Sequence, residues 1–422
     1  MDKNNEKLVI VGGNRLSGEI KVPTSKNAVL PILAACILNS GSTTLHNVSP
    51  ITDVFHMLNI LTTLGCTYSW DAQNNLYINC SNAHSWEIPP HLAREIRSSI
   101  FMLGSILSRF RAAKVSYPGG CDIGIRPIDL HLKGLRDLNV KIKEEHGFII
   151  CDGSEMKGGN IHLDYPSVGA TENLMMAAAL TEGVTEIRNA AKEPEIVDLQ
   201  NFINAMGGKI SGAGTSTITI QGVETLSDCE YWPMPDRIIG GTYLIACAIC
   251  GGKIRVNNCQ SEYLYALIAK LRECGCEFTL MPDYIDIECN VRPLSAQIIE
   301  TLPYPGFPTD LQAPMTALQT ISEGTCMIIE NMFETRFKHC PELIKMGANI
   351  TVRDRMAIVR GVESLQGAEV TAMDLRGGAA LVLAGLAAKG TTIINNISHI
   401  DRGYYKIEEQ FKKLGGKIER VS

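Results

Sequence analysis

Positive side chains stand at the starts of four apolar helical segments, where a helix least favours them. They are Lys26, Arg97, Arg237 and Arg376. A helix N-terminus carries partial positive charge and unpaired N–H groups, so a cation is unfavourable there unless a nearby anion neutralises it. Either each cation pairs with a neighbouring cap carboxylate, as at Asp236 or Asp374, or the four converge with several helix ends on one anion site. Their equivalent positions in a repeat favour convergence.

A glycine-rich loop between Pro118 and Pro127 carries a second group that could do chemistry. Its sequence, YPGGCDIGIRPIDLH, places Cys121 at the tip and Arg126 five residues later. Flexible glycines between stiff prolines suit an active-site lid, and a thiol near fixed cations tends toward a lower pKa and greater reactivity. The alternative is that Cys121 is one structural thiol among 14. Its glycine-rich setting, unlike that of the cysteines in apolar helices, favours the reactive role.

Asp310, in the segment FPTDLQA, is the third candidate. A positioned carboxylate that takes the proton of an attacking alcohol typically contributes about 10²- to 10⁴-fold in rate. The alternative role is a helix cap, and the two roles are compatible because a cap lies at the end of the helix where anions bind. His131, His339 and His399 stand near related segments, but the sequence assigns them no chemistry.

The elements that carry these residues recur along the chain. An Ala/Leu-rich helix stops at a glycine, a β-branched strand follows, and an amphipathic helix ends at a second glycine. The glycine pairs are Gly41 and Gly65, Gly183 and Gly207, Gly252 and Gly275, Gly324 and Gly347, and Gly390 and Gly415. Glycine suits these places because the residue that ends a helix often needs a left-handed conformation. The long gap between the first two pairs holds a sixth copy that has lost its glycine.

Six such units predict an α/β protein with two compact domains of three units each. The apolar first helices would lie inside each domain, with sheets around them. One domain comprises residues 1–24 and 234–422, and its N-terminal strand, around Leu8 to Val22, is expected to close it. The other domain comprises residues 25–233 and carries the Cys121 loop.

Composition and charge exclude several classes of protein. The net charge of -6 argues against a nucleic-acid-binding protein, which usually has a basic excess. The N-terminal stretch is polar and no apolar run reaches about 18 residues, so neither a signal peptide nor a membrane-spanning helix is expected. The scattered cysteines predict free thiols in a reducing, cytoplasmic compartment, and their spacing predicts no zinc site.

Nine segments stand in the order typical of one family. They are SKNAVLPILAA, PGGCDIGIRPIDLH, SVGAT, EPEIVD, PDRI, FPTDLQA, ETRFKHCPEL, DLRGGAALVLAG and HIDRGY. Together they resemble the UDP-N-acetylglucosamine 1-carboxyvinyltransferases of the EPSP synthase-like superfamily, and they extend from Lys26 to Tyr404. The resemblance implies two inside-out α/β barrel domains of three repeats each, with the active site in the cleft between them.

The resemblance also implies an activity. UDP-N-acetylglucosamine and phosphoenolpyruvate would give the enolpyruvyl ether and phosphate, which is the first committed step of peptidoglycan synthesis. No metal or organic cofactor, no nucleic acid and no membrane is expected to take part, and the oligomeric state stays open.

The family's residues for phosphoenolpyruvate match positions of this chain. Lys26 and Asn27 would contact phosphoenolpyruvate, and Arg126 and Arg402 would join Lys26 in holding its phosphate and carboxylate. Cys121 would add to phosphoenolpyruvate, act as an acid in the cycle and be alkylated by fosfomycin.

A second set of matched positions concerns the sugar nucleotide. Asp310 would face the sugar 3′-hydroxyl. The residues implied to line the UDP-sugar site are Arg97, Arg126, Pro127, Ile128, Asp129, Leu130, Ser167, Val168, Gly169 and Met332. The closing charged cluster would comprise Arg336, Asp374 and Arg376.

Several positions depart from the family's pattern without removing a residue assigned to chemistry. Thr24 stands where glycine and alanine are frequent, Tyr165 where many members have lysine, Ile239 where they have an acidic residue and Tyr304 where they have histidine. Two other functions therefore stay open. One is the related 5-enolpyruvylshikimate-3-phosphate synthase, against which the PGGC and HIDRGY segments argue. The other is a paralogue that binds UDP-sugar and regulates without turnover, against which the retained reactive residues argue.

Overall fold

The structure is a computed structural model that describes residues 6–119, 123–124 and 127–422. The helices in this part of the chain are α1 Lys26–Cys36, α2 Thr52–Thr63, α3 Pro90–Glu95, α4 Phe101–Phe110, α5 Asp129–Asp137, α6 Val168–Ala179, α7 Pro194–Ala205, α8 Arg237–Cys250, α9 Tyr265–Glu273, α10 Gln312–Gln319, α11 Cys340–Lys345, α12 Leu375–Ala387, α13 Ser398–Asp401 and α14 Ile407–Lys413. Short 3₁₀ turns cover Arg97–Ile100, Ser261–Tyr263 and Thr309–Leu311.

The strands divide into two series along the chain. The first series is β1 Lys7–Val11, β2 Leu16–Lys21, β3 Ser42–Leu45, β4 Thr67–Trp70, β5 Leu76–Asn79, β6 Ala112–Ser116, β7 Lys141–Glu145, β8 Phe148–Asp152, β9 Asn160–His162, β10 Val184–Arg188, β11 Lys209–Ser211, β12 Thr217–Gln221 and β13 Cys229–Tyr231. The second series is β14 Gly252–Asn257, β15 Glu277–Leu280, β16 Tyr284–Cys289, β17 Ile298–Glu300, β18 Thr325–Ile329, β19 Asn349–Arg353, β20 Met356–Arg360, β21 Glu369–Thr371, β22 Thr391–Asn395 and β23 Lys417–Val421.

The described chain falls into two compact units. The N-terminal unit comprises residues 24–119 and 127–234, and the C-terminal unit comprises residues 6–23, 123–124 and 235–422. Each unit has its own hydrophobic core. Residues 123–124 belong to the C-terminal unit, where the Thr335 N–H donates to the Ile123 carbonyl at 3.1 Å.

Each unit contains three small sheets, one for each repeat, which confirms the six-unit pattern. In the N-terminal unit the strand orders are β13-β3-β5-β4, β6-β8-β7 and β11-β12-β10-β9. In the C-terminal unit they are β15-β16-β14-β2, β17-β18-β20-β19 and β21-β22-β1-β23. A strand from outside the repeat joins in parallel at β3, β10, β14, β18 and β22. Because β13 follows the third repeat and pairs with β3 of the first, the chain closes the N-terminal unit on itself.

The N-terminal stretch of the chain forms two strands rather than the one predicted over Leu8 to Val22. Strand β1 lies between β22 and β23 in the sheet of the sixth repeat. Strand β2 pairs in parallel with β14 in the sheet of the fourth repeat. Gly12 and Gly13 separate the two strands, and their N–H groups donate to the carbonyls of Gly390 and Leu386. The stretch therefore links two repeats of the C-terminal unit.

The first helices of the repeats are buried on every side, as their uniform apolar composition predicts. Every residue of α1 from Ala28 to Cys36 is buried, and so is every residue of α10. Helix α8 buries Arg237 to Ile249, a run that begins with a charged side chain. When the first turn of a helix is buried, its unpaired backbone N–H groups are buried too. These N–H groups therefore need hydrogen-bond partners inside the protein.

The second glycine of each pair ends an amphipathic helix as predicted. Gly65, Gly207, Gly275, Gly347 and Gly415 directly follow the last helical turn, with φ between +87° and +101°. At Gly65 the bonds are those of a Schellman motif, in which Gly65 N donates to Thr62 O and Cys66 N donates to Leu61 O, both at 3.0 Å. Asn139, with φ of 62°, takes this place in the second repeat.

The first glycine of a pair ends the helix only at Gly252, which follows the last residue of α8 by two positions, so that prediction is wrong for the other four pairs. Helix α6 ends at Ala179, four residues before Gly183, and α12 ends at Ala387, three residues before Gly390. Gly183 and Gly390 instead have positive φ at the entry to a strand. Glycine is required at these two positions by the turn between the helix and the strand, not by the end of the helix.

Two further findings concern the described residues as a whole. None of their cysteines forms a disulfide. No helix among them has both the length and the apolar character needed to cross a bilayer.

Gly104 supplies a test of how closely the inner helices pack. A Cβ at this position of α4 would lie 2.1 Å from the backbone carbonyl oxygen of Asn173 on α6. We expect Gly104→Ala to lower stability by about 1–3 kcal/mol from overpacking, which outweighs the roughly 1 kcal/mol that alanine gains in helix propensity. Thermal and urea unfolding midpoints measure the effect.

Gly134→Ala in α5 is the matched control. Its Cβ would meet the side-chain methyls of Leu174 at 2.5 and 2.7 Å, and these can rotate away while a backbone carbonyl cannot. Equal unfolding midpoints for the two variants would contradict the packing argument.

Candidate functional site

Asp310 shares its carboxylate between two buried guanidinium groups in the C-terminal unit. Arg336 Nη2 lies 2.7 Å from Oδ1, and Arg376 Nη2 lies 2.9 Å from Oδ2. Both arginine side chains are only 4% exposed, whereas that of Asp310 is 24% exposed. We call these three residues the charge cluster. Charge-assisted pairs of this kind fix side-chain geometry, and the partly exposed carboxylate is the member that a ligand can reach.

The charges around Asp310 determine its protonation. Burial raises the pKa of this carboxyl, but the guanidiniums of Arg376 and Arg336 outweigh burial and hold the pKa well below its usual range. Asp310 is therefore ionised at neutral pH. Its carboxylate accepts bonds from both arginines.

Helix α12 brings Arg376 to the cluster through a cap made by Asp374. Asp374 Oδ1 accepts from the backbone N–H groups of Arg376 and Gly377 at 3.0 and 2.8 Å. The guanidinium of Arg376 turns away from this cap to Asp310. Among the described residues, Asp374 Oδ2 and Arg336 Nε are buried without a hydrogen-bond partner. Such atoms mark places where a ligand or water completes the bonding.

Tyr404 is a contact of the cluster that the sequence did not reveal. Arg376 Nη1 donates to the Tyr404 hydroxyl at 3.2 Å, and Thr242 Oγ1 lies 3.0 Å from the same oxygen. The guanidinium carbon also lies 5.5 Å from the centre of the Tyr404 ring. The HIDRGY segment contains this tyrosine, so its place in a recognised motif was the one available signal.

Two histidines lie beside the cluster, and both are kept neutral by their surroundings. Burial lowers the pKa of His339 to about 4, with Arg336 lowering it further and Asp374 opposing. Burial and then the charge of Arg402 lower the pKa of His399, which Asp374 again opposes. Arg402 therefore lies close to His399, near the capped end of α12.

Lys26 forms the principal ion pair of the N-terminal unit. Its Nζ lies 2.7 Å from Asp53 Oδ2, and the two side chains are 11% and 3% exposed. Ser25 caps α1 by accepting from the Ala28 N–H at 3.3 Å, and Lys26 and Asn27 are the first residues of that helix. Asp53 was not among the predicted site residues, and its only signal was its place in the first turn of α2.

These ion pairs show which groups neutralise two of the four cations at the helix starts. Lys26 pairs with Asp53, and Arg376 pairs with Asp310, so neither relies on the carboxylate of a neighbouring cap. Arg237 places its guanidinium 5.6 Å from the ring centre of Tyr304. Carboxylates distant in sequence therefore pair with Lys26 and Arg376.

The residues expected at the UDP-sugar lie on neighbouring elements of the N-terminal unit. Arg97 Nη2 donates to the Pro127 carbonyl at 3.4 Å, and Asp129 and Leu130 open α5 directly afterwards. Ser167 caps α6 by accepting from the Ala170 N–H at 3.3 Å, and Val168 and Gly169 form the first turn.

A histidine connects these two helix starts. His131 on α5 lies 2.9 Å from Asn173 Nδ2 on α6, and its ring would lie 3.4 Å from a Cβ at Gly169. The structure thus brings the Pro127–Leu130 and Ser167–Gly169 stretches together. Met332 belongs instead to the C-terminal unit, where its N–H donates to Glu330 Oε1 at 2.8 Å.

Two predicted site residues, Cys121 and Arg126, lie outside the described residues, so their roles stay predictions. Tyr165, which departs from the family's pattern, is exposed, and Ile239 is buried in α8. No group of three or more His, Cys, Asp or Glu side chains in the described part of the chain is arranged to hold a metal ion.

Comparison with known proteins places the chain among carboxyvinyltransferases. Residues 10–411 match the family model described as EPSP synthase (3-phosphoshikimate 1-carboxyvinyltransferase). A UDP-N-acetylglucosamine 1-carboxyvinyltransferase 2 of Caldanaerobacter subterraneus subsp. tengcongensis is 52% identical, with 98% of this chain and 99% of the relative covered. The UDP-N-acetylglucosamine 1-carboxyvinyltransferase of Psychromonas ingrahamii is 48% identical, with the same coverage.

Solved structures confirm the fold. The enolpyruvyl transferase NikO from Streptomyces tendae gives a TM-score of 0.88 at 24% identity, and 99% of each chain is covered. EPSP synthase from Acinetobacter baumannii gives a TM-score of 0.75 at 17% identity, with 99% of this chain and 100% of that chain covered. The predicted α/β fold of the enolpyruvyl transferases is therefore correct.

The depressed pKa of His339 predicts a pH dependence of stability. The unfolded histidine, with a pKa near 6.5, takes up a proton before the folded one, whose pKa is about 4. Between these values the unfolded state binds more protons, so this residue makes stability fall as pH decreases from about 6.5 to 4. We expect His339→Gln to have a flatter dependence of melting temperature on pH across that window.

His146→Gln, which changes an exposed histidine on a turn of the N-terminal unit, is the control. Parallel melting curves for the wild type and His339→Gln between pH 6.5 and 4 would show that His339 does not titrate differently on folding.

Proposed function

Because the chain belongs to the UDP-N-acetylglucosamine 1-carboxyvinyltransferases, we propose that it transfers the enolpyruvyl group of phosphoenolpyruvate to the 3′-hydroxyl of UDP-N-acetylglucosamine and releases phosphate. The observation that carries the proposal is identity of about half the residues over nearly the full length of such enzymes. The charge cluster around Asp310 supports it with chemistry suited to the reaction.

The reaction is an addition followed by an elimination. The sugar oxygen bonds to C2 of phosphoenolpyruvate, its proton passes to a base, and C3 gains a proton from an acid. C3 then loses a proton while the C2–O bond to phosphate breaks, which restores the double bond and releases phosphate. The protein must therefore supply a base, an acid and cations for two anionic groups, and no cofactor enters this scheme.

We assign the base to Asp310 and the acid to Cys121. Asp310 is ionised and its carboxylate is partly exposed, which suits acceptance of the 3′-hydroxyl proton. The two guanidiniums that lower its pKa also weaken it as a base. The negative charge of bound phosphoenolpyruvate offsets the charge of these guanidiniums, which makes Asp310 more basic when the proton has to move.

Cations and polar groups of the matched motifs receive the remaining roles. Lys26, Arg126 and Arg402 hold the phosphate and carboxylate of phosphoenolpyruvate, with Asn27 beside them. The UDP-sugar is bound by Arg97, Pro127, Ile128, Asp129, Leu130, Ser167, Val168, Gly169 and Met332. Asp374 contributes the buried oxygen that lacks a partner among the described residues, and it completes the closing cluster with Arg336 and Arg376.

The place of the reaction is a further part of the proposal. The product is the first committed intermediate of peptidoglycan synthesis, and we propose that it is made in the cytoplasm. The unpaired state of all the described cysteines supports a reducing compartment.

Phosphate release is the direct test of the proposed function. We expect release from phosphoenolpyruvate with UDP-N-acetylglucosamine as acceptor and none with shikimate 3-phosphate. The second acceptor matters because the matching family model carries the name of the shikimate enzyme. Release with shikimate 3-phosphate alone would assign the chain to that activity, and release with neither acceptor would favour a protein that binds without turnover.

Asp310→Asn tests the assignment of the base. Loss of the carboxylate should lower kcat by about 10²- to 10⁴-fold, since it removes proton transfer to a positioned base. Asp286→Asn is the matched control, because Asp286 also accepts two bonds from one arginine, Arg255, at 2.7 and 2.9 Å, but lies on the β16 strand outside the cluster. Equal turnover for Asp310→Asn and Asp286→Asn would remove Asp310 from catalysis.

A further inference from the structure

Glu330 is a fully buried carboxylate of the C-terminal unit, and the proposed mechanism gives it no role. Its Oε1 accepts from Thr301 Oγ1 at 2.9 Å and from the Met332 N–H at 2.8 Å. Its Oε2 accepts from Thr309 Oγ1 at 2.9 Å. Among the described residues no cationic side chain forms an ion pair with it. A buried carboxylate held by hydrogen bonds alone is costly, so its retention calls for an explanation.

One route from Glu330 to the charge cluster runs through the Thr309 hydroxyl. Thr309 has a single hydroxyl proton, and it donates that proton to Glu330 Oε2. The hydroxyl oxygen is thereby left as an acceptor, and Arg336 Nη1 donates to it at 3.1 Å. Arg336 Nη2 then donates to Asp310 Oδ1 at 2.7 Å. Glu330 therefore fixes which groups donate and which accept along a chain of hydrogen bonds that joins Glu330, Thr309, Arg336 and Asp310. We call this chain the relay.

A second route runs through the backbone after Glu330. The Phe333 N–H donates to Glu330 Oε1 at 3.2 Å, beside the bond from Met332. This turn holds the Phe333 ring so that the Arg336 guanidinium lies 5.2 Å from its centre. Arg336 is thus restrained on one side by Thr309 and on the other by Phe333, and both restraints depend on one carboxylate.

We propose that Glu330 is a positioning residue for the enolpyruvyl transfer: it aims Arg336 at Asp310 through the Thr309 hydroxyl and the Met332–Phe333 turn. This inference rests on the proposed function, because it deepens the role given to Asp310. Because Glu330 is fully buried, we assign it no contact with either substrate. It fixes the guanidinium whose charge sets the basicity of Asp310.

Glu330→Gln separates positioning from packing because the side chains have the same shape. Glutamine can keep its oxygen at the Oε1 position and so retain the bonds from Thr301 and the turn. Its NH₂ then faces Thr309 and donates where the carboxylate accepted. The Thr309 proton has to turn elsewhere, and the direction toward Arg336 is unfavourable because a guanidinium only donates.

We expect Glu330→Gln to lower kcat on the order of tenfold to 10²-fold, the range that small misplacements of catalytic groups produce. KM for UDP-N-acetylglucosamine should change much less. A loosened Arg336 withdraws positive charge from Asp310, so the pKa of Asp310 rises from its depressed position. Arg376, with Tyr404 and Asp236 near it, still faces Asp310 and limits the shift.

Thr309 variants test the relay itself. Thr309→Val removes the hydroxyl and should resemble Glu330→Gln, whereas Thr309→Ser keeps the hydroxyl and should restore most of the activity. The double variant of Glu330→Gln and Thr309→Val should lose less than the sum of the single losses, because both act on one path. Fully additive losses would overturn the relay.

Glu342→Gln is the control for amidation of a buried glutamate in the same unit. Glu342 accepts from the Thr371 N–H at 2.9 Å and contacts Lys345, so it lies outside the relay. We expect its kcat and pH profile to match those of the wild type. A loss equal to that of Glu330→Gln would show a general structural effect and would overturn the proposal.

A crystal structure of Glu330→Gln gives a readout that needs no turnover. The proposal expects the Arg336–Thr309 contact of 3.1 Å to be lost and the guanidinium to move from Asp310. An unchanged Arg336 would overturn the proposal even if the wild type is fully active. A displaced Arg336 in a protein without transferase activity would support the positioning and refute only the proposed function.

Discussion

One carboxylate holds two buried guanidiniums together in the C-terminal unit. Without Asp310 the charges of Arg336 and Arg376 would repel each other where water is scarce, and Arg376 would also face the positive end of α12. The same principle applies to Lys26 at the start of α1, which Asp53 neutralises. Carboxylates therefore neutralise the cations of both units. Under the proposed function, the negative charge of the substrate offsets these cations, which links anion binding to the basicity of Asp310.

The architecture explains why such cations sit at helix ends. Helices α8 and α12 are buried along almost their whole length, so the polar N-terminus of each helix lies in the interior. Asp236 and Asp374 accept hydrogen bonds from the backbone N–H groups at the helix starts. The arginine side chains that follow these caps are therefore available to contact groups elsewhere in the unit. A repeated fold of this kind yields several anion-attracting helix starts from one simple local pattern.

Local sequence was sufficient to predict the repeats, the buried helices and the residues that cap them, because each depends on neighbours within a few positions. Gly65 and its equivalents were correctly placed for this reason. The strand between Leu8 and Val22 was predicted wrongly as one element, since its division depends on pairing with β14 and with β22. The partners Asp53 and Tyr404 escaped prediction because their contacts join segments 27 and 28 residues away in the chain. Spacing along a sequence does not tell which of many carboxylates or phenols will meet a given cation.

The sheet that combines β1 with β22 and β23 bears on how the chain folds during synthesis. Leu8 pairs with both Ile394 and Arg420, so one of the earliest strands waits for partners made almost four hundred residues later. The N-terminal unit, by contrast, has all its strands once residue 234 has emerged. The N-terminal unit can therefore fold on the ribosome first. Strand β1 lacks its partner β23 until residues 417–421 leave the exit tunnel, so until then its backbone hydrogen-bonding groups stay exposed along one edge.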